Sequence, residues 1–440
     1  HGKAPKIHVC LCSDDPDLRP AAVAISSAAA SAVEPSRLVF HYITSPELAP
    51  LARELFYNYL PGIRIHVHHN ATLQERIDSF ISFRGQDTMK MRASLATPFN
   101  FAPFYLHDFV RHTKGGRQMN HRRLIYLDTD TVVLGDIAEL HDLDLQGHAC
   151  AAVKYCLQHW DDYMDFDALR EQGFAYFSPR SCIANRGVMV IDAPAWRRQN
   201  ITGKIEDWLL LYRQSRRPLW VGGMSQPPWL LALNGDFMEL SEDWNCNSLG
   251  RDTMSVREVA DLRKVGFDRS GLRILGRNLS KKGQVSPFVV TCSRSGKLLH
   301  FNGAMKPWLL DGDTEQAGLP SCSLPTRFPV SAWSWSVLVQ LFCRGVAFLS
   351  CADLWSAFLT PEAGCAMKDF DQEWRDDEVK WHNRRKELQV AREQEKKEEL
   401  ERQAEVDKAQ LDLQALIAQK SDDVYTIADL ENKAGYERIV

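Results

Sequence analysis

The 440-residue sequence predicts an α/β protein built on a doubly wound, mainly parallel sheet. Three observations carry that reading. Strand-length apolar runs alternate with helical segments through residues 6–69, and strand–helix–strand repeats of this kind form parallel sheets. The apolar run Leu124–Leu127 stops at two carboxylates, Asp128 and Asp130, and open α/β sheets keep their ligands at the carboxyl ends of buried strands. Hydrophobic residues make up 45% of the chain and aromatics 10%, which allows a substantial core.

The elements follow in order. KIHVCLCS (6–13) reads as a first strand running into Asp14 and Asp15. PAAVAISSAAASAV (20–33) reads as a helix of small residues able to pack closely on a sheet. RLVFHYIT (37–44) is a second strand, PLARELFYNYL (50–60) a second helix, and IRIHVHH (63–69) alternates as a third strand. The first strand–helix turn lacks G-x-G-x-x-G, so the classical dinucleotide fingerprint is missing. Residues 94–111 look helical, and TKGGRQMNHRR (113–123) reads as a polar, exposed loop before LIYLDTDTVV (124–133). HACAAVKY (148–155), CIANRGVMVID (182–192) and KLLHFNG (297–303) supply further strands, and WRRQNITGKIEDWLLLYRQ (196–214) an amphipathic helix.

The carboxyl-terminal third changes character. Residues 1–312 read as the α/β domain, and 313–330, with three prolines, read as a linker. Residues 331–367 are an apolar helical segment, and 368–440 a charged long helix and tail. Arg344, near the middle of the apolar run, makes a membrane-spanning helix expensive. Core helices are the favoured reading, with membrane association through 331–359 as the alternative. Residues 368–408 carry 11 Lys/Arg and 14 Asp/Glu. Pairs four apart, such as Glu393–Lys397 and Glu398–Arg402, support a solvated helix. Its irregular apolar spacing leaves a coiled coil, and self-association through it, as an open alternative.

A net charge of −4 argues against nucleic acid or an anionic membrane surface as the main partner. The chain begins at His1, and an anchor removed from the amino terminus is a second route to a membrane. Three N-x-S/T sequons, at Asn70, Asn200 and Asn278, favour a secretory-pathway lumen, with the Golgi as the expected location. Eleven cysteines leave at least one unpaired. Cys10 and Cys12 alternate on a strand and read as buried thiols. No CxxC pair occurs, so a structural zinc site built on cysteines is not indicated.

Two carboxylates one residue apart repel each other unless a cation lies between them, so Asp128 and Asp130 suggest a divalent metal site. A solvated acidic turn is the alternative. HFNGAMKPW (300–308) adds an imidazole, His300, at a strand end. It also adds Gly303, which permits close backbone approach, and Lys306, a compact phosphate-seeking cation. A metal held by two carboxylates and one imidazole, with a lysine nearby, suits a nucleotide diphosphate.

YLDTDTVVLGDIAEL (126–140), NRGVMVIDAPAWRRQNIT (185–202), WNCNSLG (244–250) and HFNGAMKPW together resemble glycosyltransferase family 8, most of all its plant galacturonosyltransferase-like branch. The resemblance covers roughly residues 6–310 and keeps the family's motif order. It implies the nucleotide-sugar transferase fold called GT-A. It also implies a retaining glycosyltransferase that moves a hexosyl, uronosyl or pentosyl group from a UDP-sugar to a glycan or protein hydroxyl. Asp128, Asp130 and His300 would hold manganese, or another divalent cation such as Mg2+. Gly303 and Lys306 would contact the diphosphate, and Ser13, Asp14 and Asp15 would lie near the uridine. Asn185 would reach the donor sugar, Arg186 beside it is the candidate partner for a uronate carboxylate, and Gln226 would sit beside the anomeric carbon.

Two positions depart from the family pattern. NFAPFYL (100–106) places Pro103 where an arginine is usual, so a phosphate contact would come from elsewhere, with Lys90 or Arg92 as candidates. SQPPW (225–229) places Ser225 where an aspartate is usual. These departures motivate a second reading, a catalytically weak or inactive family-8-like subunit acting as a binding or scaffold protein. A nucleotidyltransferase is a third, disfavoured by the missing glycine-rich phosphate loop.

Overall fold

The computed structural model describes residues 4–81, 97–110, 121–174, 178–220, 225–250, 295–303, 306–309, 357–360 and 362–377, the backbone of 112–114 and 117–119, and a few single residues between them. In chain order the strands are β1 (Ile7–Cys12), β2 (Leu38–Ile43), β3 (Ile65–His68), β4 (His112–Lys114), β5 (Arg117–Met119), β6 (Arg123–Leu127), β7 (Thr131–Val133), β8 (Cys150–His159), β9 (Cys182–Asp192), β10 (Met238–Leu240) and β11 (Leu298–His300). Seven of them form the main sheet in the order β10-β8-β9-β6-β1-β2-β3. All neighbours are parallel except β9, which runs antiparallel to both β6 and β8. This is the expected α/β class with a mainly parallel sheet.

Both faces of the sheet are covered, which explains why its strands read as nearly continuous apolar runs. On β1, Ile7, Val9 and Leu11 enter one core, while Cys10 and Cys12 enter the other. Helices α1 (Arg19–Ser31) and α2 (Ala49–Tyr59) pack on the first face, and Ala21, Ala22, Ala24 and Ala28 let α1 lie close. The other face carries α3 (Ala71–Ile81), the short α4 (Pro98–Phe101) and α5 (Leu106–Phe109). After the single turn α6 (Ala138–His141), the same face receives α7 (Phe166–Glu171), α8 (Ala193–Arg198), α9 (Ile201–Gln214) and α10 (Gln226–Leu233). Each fully buried Leu, Ile or Phe in these cores contributes roughly 1.5–3 kcal/mol of transfer free energy.

The structure corrects three local expectations. Residues 196–214 are not one helix: α8 ends and α9 begins around Asn200, whose φ of 50° is left-handed. Asparagine tolerates that conformation, and the apolar period continues across the break, which hides it. Residues 113–123 are not wholly loop, because β4 and β5 pair antiparallel around the Gly115-Gly116 dipeptide. Gly-Gly between strands is a hairpin signal that the polar composition masked. Residues 98–109 are helical in three short pieces, with Pro98 opening the first and Pro103 in the 3-10 turn between α4 and α5.

Among the described residues, two disulfides join Cys156 to Cys182 and Cys246 to Cys292. Cys10 and Cys12 are buried free thiols, as their alternation implied. The described part of the apolar carboxyl-terminal stretch is core, since Trp355, Phe358, Leu359, Ala363 and Met367 are buried in the same core as α1. Residues 310–354 lie outside the described residues. Among the described residues, no helix is long and apolar enough to cross a membrane. By contacts the chain divides into compact units, His1–Asp371 and Gln372–Val440. Of the second, only 372–377 are described, and they are helical.

Candidate active site

The strand β6 delivers Asp128 at the carboxyl edge of the sheet. Side chains alternate along a strand, so Tyr126 and Asp128 share a face, and the Tyr126 hydroxyl donates to Asp128 Oδ1 at 2.5 Å. The chain then turns: Thr131 Oγ1 donates to the Asp128 carbonyl at 2.8 Å. It re-enters as β7, which pairs antiparallel with β11 so that Thr131 opposes His300. The Phe301 amide donates to the Asp130 carbonyl at 2.8 Å. This register, built across about 170 residues of sequence, brings His300 onto the two carboxylates.

His300 Nε2 lies 3.1 Å from Asp130 Oδ1 and 3.5 Å from Asp128 Oδ2. One ligand atom from each of Asp128, Asp130 and His300 lies within 4.8 Å of the others. Lys306 Nζ donates to Asp130 Oδ2 at 2.7 Å and to the Phe301 carbonyl at 2.5 Å. It also lies 5.5 Å above the Trp308 ring. Arg186, whose side chain is only 11% exposed, places Nη1 3.6 Å from Asp128 Oδ1 and donates from Nη2 to Asn100 Oδ1. It is therefore not an ordinary surface arginine. It also brings a guanidinium to α4, just before the 3-10 turn that carries Pro103.

Burial works against ionising Asp130, but Lys306 and His300 outweigh it and hold the carboxyl well below the usual range. At Asp128, burial is likewise outweighed, by Arg186 and then His300. Burial would lower the His300 imidazole; Asp130 and Asp128 instead raise it to about 9. Two carboxylates thus stay ionised around one buried ring.

The arrangement fits a divalent cation. His300 Nε2 is buried and makes no aligned hydrogen bond, although it faces both carboxylates. A buried ring nitrogen left this way is costly unless something completes it. Its other nitrogen is oriented: Nδ1 lies 3.0 Å from Asn245 Oδ1, and Asn245 Nδ2 donates to Asn185 Oδ1 at 2.9 Å. A second hydrogen bond to a ligating imidazole, fixing its tautomer, is the usual support of a metal ligand.

Three residues here were not assigned from sequence. Asn245 lies in WNCNSLG and received no role, although it orients His300. Tyr126 was read only as part of an apolar strand. Gly187 follows Arg186, and a Cβ there would meet His300 Cε1 at 2.2 Å and Nδ1 at 2.4 Å. Only glycine admits the ring. The N-R-G triplet held that signal, but no local rule says what a glycine in a strand interior is making room for.

The remaining expected residues are placed as follows. Asn185 is buried, and its Oδ1 accepts from both the Gly187 amide and Asn245. Gly303 donates its amide to the Leu249 carbonyl at 2.8 Å, so that N–H is already engaged. Ser13, Asp14 and Asp15 follow β1 at the same sheet edge. The Asp15 amide donates to Ser13 Oγ at 3.0 Å, Thr97 Oγ1 donates to Asp14 Oδ1 at 3.2 Å, and burial pushes the Asp14 carboxyl up to about 6. Gln226 opens α10, with its Nε2 buried and without a hydrogen-bond partner among the described residues. Ser225 before it is buried. Lys90 and Arg92 lie outside the described residues.

The family model described as Glycosyl transferase family 8 matches residues 8–312. Curated relatives include two Arabidopsis thaliana proteins. Probable galacturonosyltransferase-like 3 is 30% identical over 69% of this chain and 74% of its own length. Probable galacturonosyltransferase-like 6 is 29% identical over the same shares. Among solved structures, galactosyltransferase LgtC in complex with donor and acceptor sugar analogues is similar at 18% identity and a TM-score of 0.45, covering 74% of this chain and 98% of that one. Mouse xyloside xylosyltransferase 1 is similar at 16% identity and a TM-score of 0.41, covering 68% and 98%.

Proposed function

The chain belongs to glycosyltransferase family 8 and has the GT-A type of α/β fold; from that premise we propose a metal-dependent, retaining glycosyltransferase that uses a UDP-sugar, with a uronosyl group as the favoured cargo. The observation that carries the reading is the convergence of Asp128, Asp130 and His300 beside Lys306 at the carboxyl edge of the sheet. Asp128, Asp130 and His300 would hold the cation, which when bound supplies positive charge to a leaving diphosphate.

The protein groups divide the remaining work. Lys306 is positioned to offset charge on the same phosphate oxygens as the sugar–phosphate bond breaks. The loop from Ser13 to Asp15 would receive the uridine. The Asn185 amide NH2, whose oxygen partner is already committed, would meet the donor sugar. Gln226 is a poor nucleophile but a reasonable dipole for an oxocarbenium-like centre, which favours front-face attack by the acceptor over a covalent glycosyl-enzyme. Trapping a covalent sugar adduct on any of residues 220–236 would sink that part.

A uronate donor is favoured because the relatives are named for galacturonosyl transfer. Arg186 also brings a guanidinium with five N–H donors to the wall beside Asp128. The two disulfides suit an oxidising lumen, which agrees with a secretory-pathway location. The departures at Pro103 and Ser225 keep a catalytically weak binding or scaffold subunit as the second reading. One experiment separates them: thermal shift and sugar transfer or hydrolysis across a panel of UDP-sugars, with and without manganese. The leading reading expects manganese-dependent stabilisation by one donor, together with turnover of that donor. Stabilisation without turnover selects the second reading. Full activity in excess EDTA would refute the metal assignment.

A further inference from the structure

A second group of titratable side chains lies away from the active site, nearer the amino ends of β1 and β6. His8 of β1, His41 of β2, His66 and His68 of β3, and His121 just before β6 converge on the sheet face that also carries Cys10. The parallel register creates the cluster. His41 pairs with Cys10 on one side and His66 on the other, while His8 lies two residues before Cys10 and so shares its face. Ring centroids of His8 and His121 are 3.7 Å apart, and those of His8 and His41 are 5.2 Å apart.

We propose that His8, His41 and His121 form a second metal site, built for a borderline first-row divalent cation of the Zn2+ class. One ring nitrogen from each lies within 4.8 Å of the others. The donor set is all imidazole, with no carboxylate. Such a set suits zinc, copper or nickel, whereas manganese, magnesium and calcium prefer oxygen. Three protein nitrogens leave a fourth position for water or a further ligand.

The surroundings support coordination. His41 is 4% exposed and its Nδ1 lies 2.9 Å from His68 Nε2. If that nitrogen carries the proton, the lone pair of Nε2 is directed at His8 Nδ1, 2.9 Å away. Two neutral rings would exchange this one hydrogen bond for shared coordination. Burial, with neighbouring imidazoles adding to it, lowers His8 to about 3 and His41 further. These two rings are therefore neutral at neutral pH, so a metal need not displace a proton from either. His8 and His121 are partly exposed, which leaves the ion a way in. The inference does not depend on the transferase reading, since no residue is shared with the Asp128 group.

The test uses the full chain without a histidine tag, stripped with chelator. The Asp128→Asn/Asp130→Asn variant removes the first site. Equilibrium dialysis against Zn2+ should then retain one equivalent, and Co2+ should give the intense visible bands of a tetrahedral, nitrogen-rich site. His8→Gln/His121→Gln in that background should lose both signals. No retained zinc in the first variant, or undiminished zinc in the second, overturns the proposal. Should the second variant fail to fold, X-ray absorption of zinc bound to the first decides. Scattering from three imidazoles supports the site, and an oxygen-dominated shell overturns it.

Discussion

His300 and His41 are both buried, at 1% and 4% exposure, yet their protonation is pushed in opposite directions. At the carboxyl edge of the sheet, two carboxylates surround the ring and raise it to about 9. Nearer the amino ends of the strands, the neighbours are other imidazoles. There burial and like-charge repulsion keep the rings neutral, with His8 lowered to about 3. Desolvation is the largest influence in both cases; what differs is whether a charge partner outweighs it. The same residue type thus sits in a carboxylate-rich group in one region and an all-imidazole cluster in the other.

The largest effect is expected at Asp130. Asp130→Asn removes a charge from the oxygen-rich group and leaves Lys306 without its carboxylate partner. Transfer activity should fall by on the order of 10³-fold, the scale of losing a group that stabilises developing charge, while the far-ultraviolet circular dichroism stays unchanged. Zinc retention at the histidine cluster should not move. Wild-type turnover in this variant would remove Asp130 from the site.

Gly187→Ala comes next. Its Cβ would collide with the His300 ring at 2.2 Å, and the backbone around it is fixed by the Asp128 amide donating to the Gly187 carbonyl at 2.9 Å. Displacing the ring by about 1 Å is expected to cost roughly 10²-fold in kcat/KM. Asn245→Ala should be milder. It frees His300 Nδ1 without removing a ligand, so manganese affinity, read by titration calorimetry, should weaken about 10- to 100-fold. Unchanged affinity would mean that Asn245 only packs.

These effects also mark what the sequence disclosed. The sheet was legible because its strands are buried on both faces and separated by clear helical periods. Asp128, Asp130, His300 and Lys306 were legible because each lies in a compact motif at a strand end. Asn245 and Gly187 lay within the quoted motifs, but their roles exist only relative to His300, across about 55 and 113 residues of sequence. The disulfides and the histidine cluster were hidden for the same reason. Cysteine spacing does not encode the β8–β9 pairing that joins Cys156 to Cys182. IRIHVHH looked like ordinary alternation until the parallel register set its histidines beside His41. Asn200 shows the converse, a local break concealed by a period that continues through it.

The smallest expected effect tests the comparison itself, through the pH dependence of stability in the presence of chelator. For His8 and His41 the folded state disfavours the proton, so the unfolded chain binds more protons below its ordinary value of 6.5. Their contribution is fully present above pH 6.5 and is lost as the pH falls from there toward 3 for His8. His300 behaves oppositely: with its folded value raised to about 9, its contribution is present below 6.5 and lost as pH rises toward 9. Each buried imidazole adds a limiting slope of about 1.4 kcal/mol per pH unit, and solvent contact reduces that share for His8. Urea unfolding between pH 7 and 4.5 should therefore show a shallower acid limb in His41→Gln than in the wild type. Asp130→Asn should alter the alkaline side instead, because it removes the partner that raises His300. Parallel acid limbs in wild type and His41→Gln would show that the imidazole cluster is already solvated enough to titrate normally. The contrast between the two regions would then reduce to the carboxylates alone.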